Sequence, residues 1–368
     1  MESMRERSIS YRRMHNLLIA GRKMDNCEHV VQHLGALQAQ DYHQALWAVG
    51  MRTQSVTVAD IEQSIEDRKI VLTWPMRGTI HCVHPENLRW MLQHLAPRIL
   101  AQDGRRQAQL ELNQEIIERC RQIIYDALQG NKRISRPDLM QLLEDNGFHT
   151  KNQRGYHLLW YLAQSGHICL GPREGKQQTI VLLDEWVPAA KELSRSEALA
   201  LLAERYFASH GPATVQDLAW WAGITLSDAR QGVEAAQSRL VSEKIGGQEY
   251  WTTDNAPAFV MDEEPSVYLL PGFDEYLLGF KDRSTVLNAA HARHVVPGNN
   301  GVFMPTIVID GQVSGLWKRT IKSKGIDIEF HLFAPLKDRE ERVIEAAGQY
   351  CKFIGLPLAT TSFQLVES

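Results

Sequence analysis

Apolar positions along the chain recur at helical spacing in groups of three helices, and each group is followed by two short β-rich runs. The clearest group spans 195–253. Leu199, Leu202, Ala203, Tyr206 and Phe207 fall on one helical face, which ends at His210-Gly211-Pro212, where Gly caps and Pro cannot continue. Thr214, with Asp217 three residues on, makes a capping-box pair for a second helix with Val215, Leu218, Ala219 and Ala222 on one face. Gly223 stops it. A third helix is predicted over 225–238, and Leu240-Val241 and Tyr250-Trp251-Thr252 around Gly246-Gly247 read as a hairpin. Helix, helix, turn, helix, hairpin is the order of a winged helix.

The same order is predicted at 112–185. Leu112, Ile116, Cys120 and Ile123 give the first helix face; Ser135 caps a second helix with Pro137 in its first turn and Gly147 at its end. Residues 152–165 give the third, and His167–Leu170 with Thr179–Leu183 give the wing. A fainter first copy has helices at 9–20, 28–37 and 58–67 and strands at Ile70–Trp74 and Thr79–Val83 around Pro75–Gly78, with a long connection between its second and third helices. Residues 254–265 read as a linker. Beyond it, short β-rich runs punctuated by Pro271-Gly272, Pro297-Gly298 and Asp310-Gly311 precede a helix at 337–354. The expected fold is α+β: winged-helix units at 1–110, 111–190 and 191–256, then a barrel-like β-rich domain at 257–368.

Composition fits this picture, since 368 residues with 44% hydrophobic content suffice for several packed domains. No apolar run reaches membrane-spanning length and the N-terminus lacks a secretory pattern, so a cytoplasmic protein is expected; a monomer is expected as well. The five cysteines are scattered without CxxC spacing and read as buried thiols, with no metal and no cofactor. A net charge of −4 argues against indiscriminate coating of nucleic acid, yet positive charge is clustered. Arg5, Arg7, Arg12, Arg13, Arg22 and Lys23 form one basic tract; Lys318, Arg319, Lys322 and Lys324 form another.

A winged helix normally offers its third helix to the major groove. Here the first unit's third helix carries Asp60, Glu62, Glu66 and Asp67, and the last unit's carries Asp228 and Glu234. Phosphates repel such helices. Only the middle unit, with Asn152, Gln153, Arg154 and His157, has a reading helix, so the repeats suggest a scaffold along DNA more than three sequence readers. A non-catalytic DNA-binding regulator is the alternative; a protein-interaction scaffold is a weaker one.

Chemistry is suggested by Gln38-Ala39-Gln40-Asp41. Residues i and i+2 point about 200° apart on a helix, so two glutamines that act together require a non-helical corner. Amides hold a water molecule or an incipient cation but move no protons at neutral pH. The leaving group must then depart without an acid. Otherwise the glutamines merely cap the preceding helix.

Four stretches together resemble the AlkZ/YcaQ winged-helix DNA glycosylases: Leu34-Gly35-Ala36-Leu37-Gln38-Ala39-Gln40-Asp41; Met76-Arg77-Gly78-Thr79-Ile80-His81; Leu269 to Phe280 with Asp282-Arg283; and Asp310-Gly311 through Gly315-Leu316-Trp317-Lys318-Arg319. The resemblance implies three tandem winged helices and a C-terminal β-barrel around a DNA-sized concave face. It also implies excision of cationic alkylated purines such as 7-alkylguanine from double-stranded DNA, with crosslink unhooking in some members. The family's catalytic Gln-aliphatic-Gln/Asp motif maps onto Gln38, Ala39 and Gln40, closer to the AlkZ-like branch. Asp41 and His81 are candidates for catalytic support, His81 being alternatively a core histidine. Arg77, Arg154, Arg283, Trp317, Lys318 and Arg319 are candidate DNA contacts, Trp317 being alternatively a barrel-core residue. Asp274-Glu275 read as turn-capping acids that Arg283 could pair with, and Trp220-Trp221 as core packing.

Overall fold

The computed structural model describes residues 2–254 and 266–366, so the expected linker lies, beyond Asp254, outside the described residues. The chain divides into two compact units, Met1–Ile61 with Leu199–Ser368, and Glu62–Ala198.

In the first unit, helices Glu2–Asn16 and Cys27–Leu34 are followed by Tyr42–Gly50, a helix inside the long connection. It escapes a periodicity reading because Ala45, Leu46, Trp47, Ala48 and Val49 are all buried. A short helix apolar all round has no amphipathic signature. The last winged helix follows the sequence closely: Arg195–His210, Val215–Ala222, Leu226–Ala235, then strands Leu240–Ile245 and Gln248–Thr253. Both capping-box bonds between Thr214 and Asp217 are present, and Gly223 closes the helix in the left-handed region. Trp221 is core, but Trp220 is 45% exposed, so only half of the tryptophan pair packs as expected.

The C-terminal sheet runs in the order Leu358–Leu365, Gly325–Leu332, Gln312–Lys322, Thr306–Ile309, Val267–Leu270. Its pairs are antiparallel except the last-formed one, where Leu358–Leu365 returns parallel to Gly325–Leu332 after the helix Glu340–Ile354. This β-rich domain is an open sheet, not the expected closed barrel; its two outer strands do not pair with each other. That helix buries Val343, Ala347, Tyr350 and Phe353, with Tyr350 against Trp317 of the sheet and Phe353 against Trp47.

In the second unit, strands Val71–Met76 and Thr79–Val83 form the first wing, followed by helix Pro85–Ala101, which the sequence reading lacked. The hairpin turn is Arg77-Gly78, both at positive φ, so the strand runs through Pro75 instead of stopping before it. Helices Gln114–Leu128, Arg136–Asp145 and Arg154–Gln164 lead to strands Ile168–Glu174 and Gln177–Leu182. Leu72 pairs with Leu170, joining the two wings into one sheet. The first of these helices buries Ile117, Cys120, Ile124 and Leu128, one position on from the face read at Ile116 and Ile123. All five cysteines are buried. Among the described residues, no helix is long and apolar enough to cross a membrane.

Candidate active site

Gly35 ends the helix Cys27–Leu34 at φ 80°, ψ −52°, a conformation open to glycine, and turns the chain into the two-residue strand Leu37–Gln38. Ala39 is buried and Gln40 exposed; Asp41 then caps the helix Tyr42–Gly50, accepting from the Gln44 N–H at 3.2 Å. The glutamine segment is therefore a non-helical corner between two helices. Gln38 itself is 7% exposed.

Behind the corner lies a buried ionic layer supplied by Asp274-Glu275. Arg52 holds Asp274 through two parallel bonds of 2.9 Å, and its remaining donors reach the Leu17 and Ala48 carbonyls. Both partners are buried. Removing one partner of such a pair typically costs about 3–5 kcal/mol, because the other charge is stranded. Asp274 also caps Tyr276, as expected of a turn-capping acid, but its cation is Arg52 and not Arg283. Glu275 accepts from the Gln38 N–H at 3.3 Å, from Trp221 Nε1 at 2.9 Å, and contacts His210 Nε2 at 3.3 Å. Burial depresses the His210 pKa despite the opposing pull of Glu275. Burial likewise lowers His33, and brings the Lys23 ammonium down to about 7, with Arg52 pushing the same way and Asp274 against. Arg52, and the contacts that His210 and Trp221 make with Glu275, carried no sequence signal, because they join distant segments; the sequence placed His210 at a helix end and Trp221 in the core. Asp274-Glu275 were visible there as paired acids.

The basic strand meets this region through Tyr350. The phenol is pushed up to about 12 by burial; Asp41 acts in the same direction, and Arg319, which hydrogen-bonds it, opposes both. Tyr350 also packs edge-on against Trp47 and Trp317. The structure thus brings Arg319 onto the Tyr350 ring, a link with no sequence signal. Lys318 is exposed and Arg319 half-buried. Trp317 is a core residue, 1% exposed with its Nε1 on the Leu270 carbonyl, and presents no face to DNA. Arg283 gives its Nε to the Leu277 carbonyl and stacks near Trp220 and Phe303.

In the second unit, Arg77 donates to His81 Nε2 at 3.0 Å while His81 Nδ1 bonds the Thr79 carbonyl at 2.8 Å; accepting from a guanidinium needs a free lone pair on that nitrogen. His81 is fully buried. Arg154 does not project as a base reader: it caps the Leu110, Glu111 and His149 carbonyls and lies over Phe148. His157 is held by Asp103 at 2.8 Å. The N-terminal basic tract is also partly committed, since Arg13 is buried against Phe280 and the Pro212 carbonyl, and Arg12 pairs with Glu243. The Arg5 and Arg7 side chains lie outside those described. Among the described residues no group of three or more His, Cys, Asp or Glu is placed to hold a metal ion.

Winged helices carrying an uncharged amide corner on a buried ionic support define a protein with a candidate catalytic centre. A family model described as DNA glycosylase AlkZ-like matches residues 31–353, and the chain belongs to that family of DNA glycosylases. It is similar to the interstrand DNA cross-link repair glycosylase of Streptomyces sahachiroi, 25% identical over 325 residues that cover 83% of this chain and 85% of the relative. The solved structure of Streptomyces sahachiroi DNA glycosylase AlkZ matches with a TM-score of 0.79 and 20% identity, over 98% of this chain and 99% of that one, which establishes the shared fold.

Proposed function

We propose that this glycosylase hydrolyses the N-glycosidic bond of cationic alkylated purines in double-stranded DNA, with Gln38 and Gln40 as the catalytic residues. The observation that carries the reading is the amide corner itself, with the Gln38 N–H on Glu275 and Gln40 exposed beside it. A purine alkylated at N7 already carries the charge that would otherwise come from an acid. Its bond to C1′ breaks with the electron pair leaving on the base, water adds to the oxocarbenium-like carbon, and the proton is lost to solvent. Carboxamide oxygens stabilise that carbon and orient the water. Asp41 supports the corner as the cap of the next helix, and Lys318, Arg319, Arg77 and Arg283 are proposed phosphate contacts. The name of the curated relative extends the proposal to crosslinked bases. We further propose that the protein acts as a monomer in the cytoplasm and that its four sequence segments are its structural modules.

The test is release of 7-methylguanine from a duplex, followed by alkaline cleavage of the abasic site. Gln38→Ala and Gln40→Ala are each expected to slow release by about 10²–10³, the usual cost of one preorganised polar contact to a transition state, with DNA affinity and folding retained. Wild-type rates in the variant lacking both amides would remove the assignment.

A further inference from the structure

Glu275 is 1% exposed, and its two oxygens meet groups from two other parts of the fold. Trp221 Nε1 and His210 Nε2 lie at 2.9 and 3.3 Å from Oε2, while the Gln38 N–H reaches Oε1 at 3.3 Å. A buried carboxylate is costly in a place where an apolar side chain of similar size would fill the space, so its retention marks a local task.

The surroundings leave this carboxylate one position. His210 is fully buried, stacks on Tyr206 at 4.6 Å, and has Ser209 Oγ at 2.8 Å from Nδ1. Gly279 stands so close that a Cβ there would sit 2.6 Å from His210 Cδ2. Tyr206 in turn donates to the Gly279 carbonyl at 2.8 Å. The Trp221 ring is packed on the other side against Gly35, where an added Cβ would lie 3.4 Å from the indole. The winged helix therefore fixes His210 and Trp221, these fix the carboxylate, and the carboxylate fixes the first residue of the amide corner. A displacement of about 1 Å in a reacting group is enough to cost on the order of 10² in rate.

We propose that Glu275 is a positioning residue for base release: anchored by Trp221 and His210, it holds the Gln38 N–H and so sets where the Gln38 carboxamide stands. The proposal rests on the assignment of Gln38 made above. It assigns to the Asp274-Glu275 pair a division of labour, the first acid clamping Arg52 and the second holding the catalytic corner.

The experiment measures single-turnover release of 7-methylguanine and DNA affinity for wild type, Glu275→Gln, Gln38→Ala and the two combined, with thermal unfolding of each. Glu275→Gln keeps the size and one acceptor oxygen, so that folding survives; Glu275→Ala serves as the more severe variant. The expected result is a loss of about 10-fold or more for Glu275→Gln in the wild-type background, with DNA affinity unchanged. In the Gln38→Ala background the further loss is expected to stay under about threefold, because a residue that acts through Gln38 has nothing left to position. An equal loss in both backgrounds, or a loss that tracks the fall in thermal stability, overturns the proposal while leaving Gln38 catalytic. No loss for Glu275→Gln and Glu275→Ala alike does the same. A Gln38→Ala protein that releases base at the wild-type rate removes the reading of the site itself and the proposal with it.

Discussion

At the scale of residues, the corner is held as much by what is small as by what is polar. Gly35 adopts a backbone conformation that L residues rarely visit, and it does so directly under the Trp221 indole that donates to Glu275. Gly35→Ala is expected to destabilise the protein by about 1–3 kcal/mol, the range for a residue forced into a sparsely populated region. It should also slow base release more than it weakens DNA binding, since the strained residue leads directly into the strand Leu37–Gln38. Urea unfolding and single-turnover excision read the two effects separately. A variant as stable and as fast as wild type would show that the corner has no such tight support.

Elements show where chemistry and binding meet. The strand Gln312–Lys322 alternates buried Val313, Gly315 and Trp317 with outward residues, then carries Lys318 outward at the end of its buried stretch. Replacing Lys318 and Arg319 by Ala should weaken binding to damaged and undamaged DNA alike and lower the slope of log affinity against log salt by roughly one unit per lost phosphate contact. Unchanged salt dependence would place the phosphate track elsewhere. Elements were legible in the sequence wherever local signals agreed: the Thr214-Asp217 capping box, the Gly246-Gly247 turn and the Ser135-Pro137 helix start all stand where they were read. They were not legible where tertiary burial replaced periodicity, as in Tyr42–Gly50, or where the strand Leu358–Leu365 carries too few buried side chains to show alternation. The amide corner was legible because its shape follows from residue spacing. Its support was not, because Glu275 lies 237 positions from Gln38 and a single sequence carries no sign of that contact. Trp317 takes its core alternative and Arg154 caps carbonyl groups; Arg and Trp serve such roles as readily as they serve DNA, and a single sequence does not separate them.

On the scale of the whole molecule, the α+β arrangement of winged helices and an open C-terminal sheet is shared along nearly the full chain with a solved DNA glycosylase. The proposed chemistry then makes one demand on the substrate. Gln38 and Gln40 supply no proton, and a base must leave as a stable neutral species by breaking a bond to a nitrogen heterocycle that is already cationic. Lesion charge, more than lesion size, should decide what is released. The most direct measurement is excision from matched duplexes containing 7-methylguanine, uracil, hypoxanthine or 8-oxoguanine, each with and without borohydride. Release of 7-methylguanine alone is expected, with no trapped protein–DNA adduct, because water is the proposed nucleophile. Efficient release of uracil, or a borohydride-trapped adduct, would mean that another residue carries the reaction and that the amide corner does not.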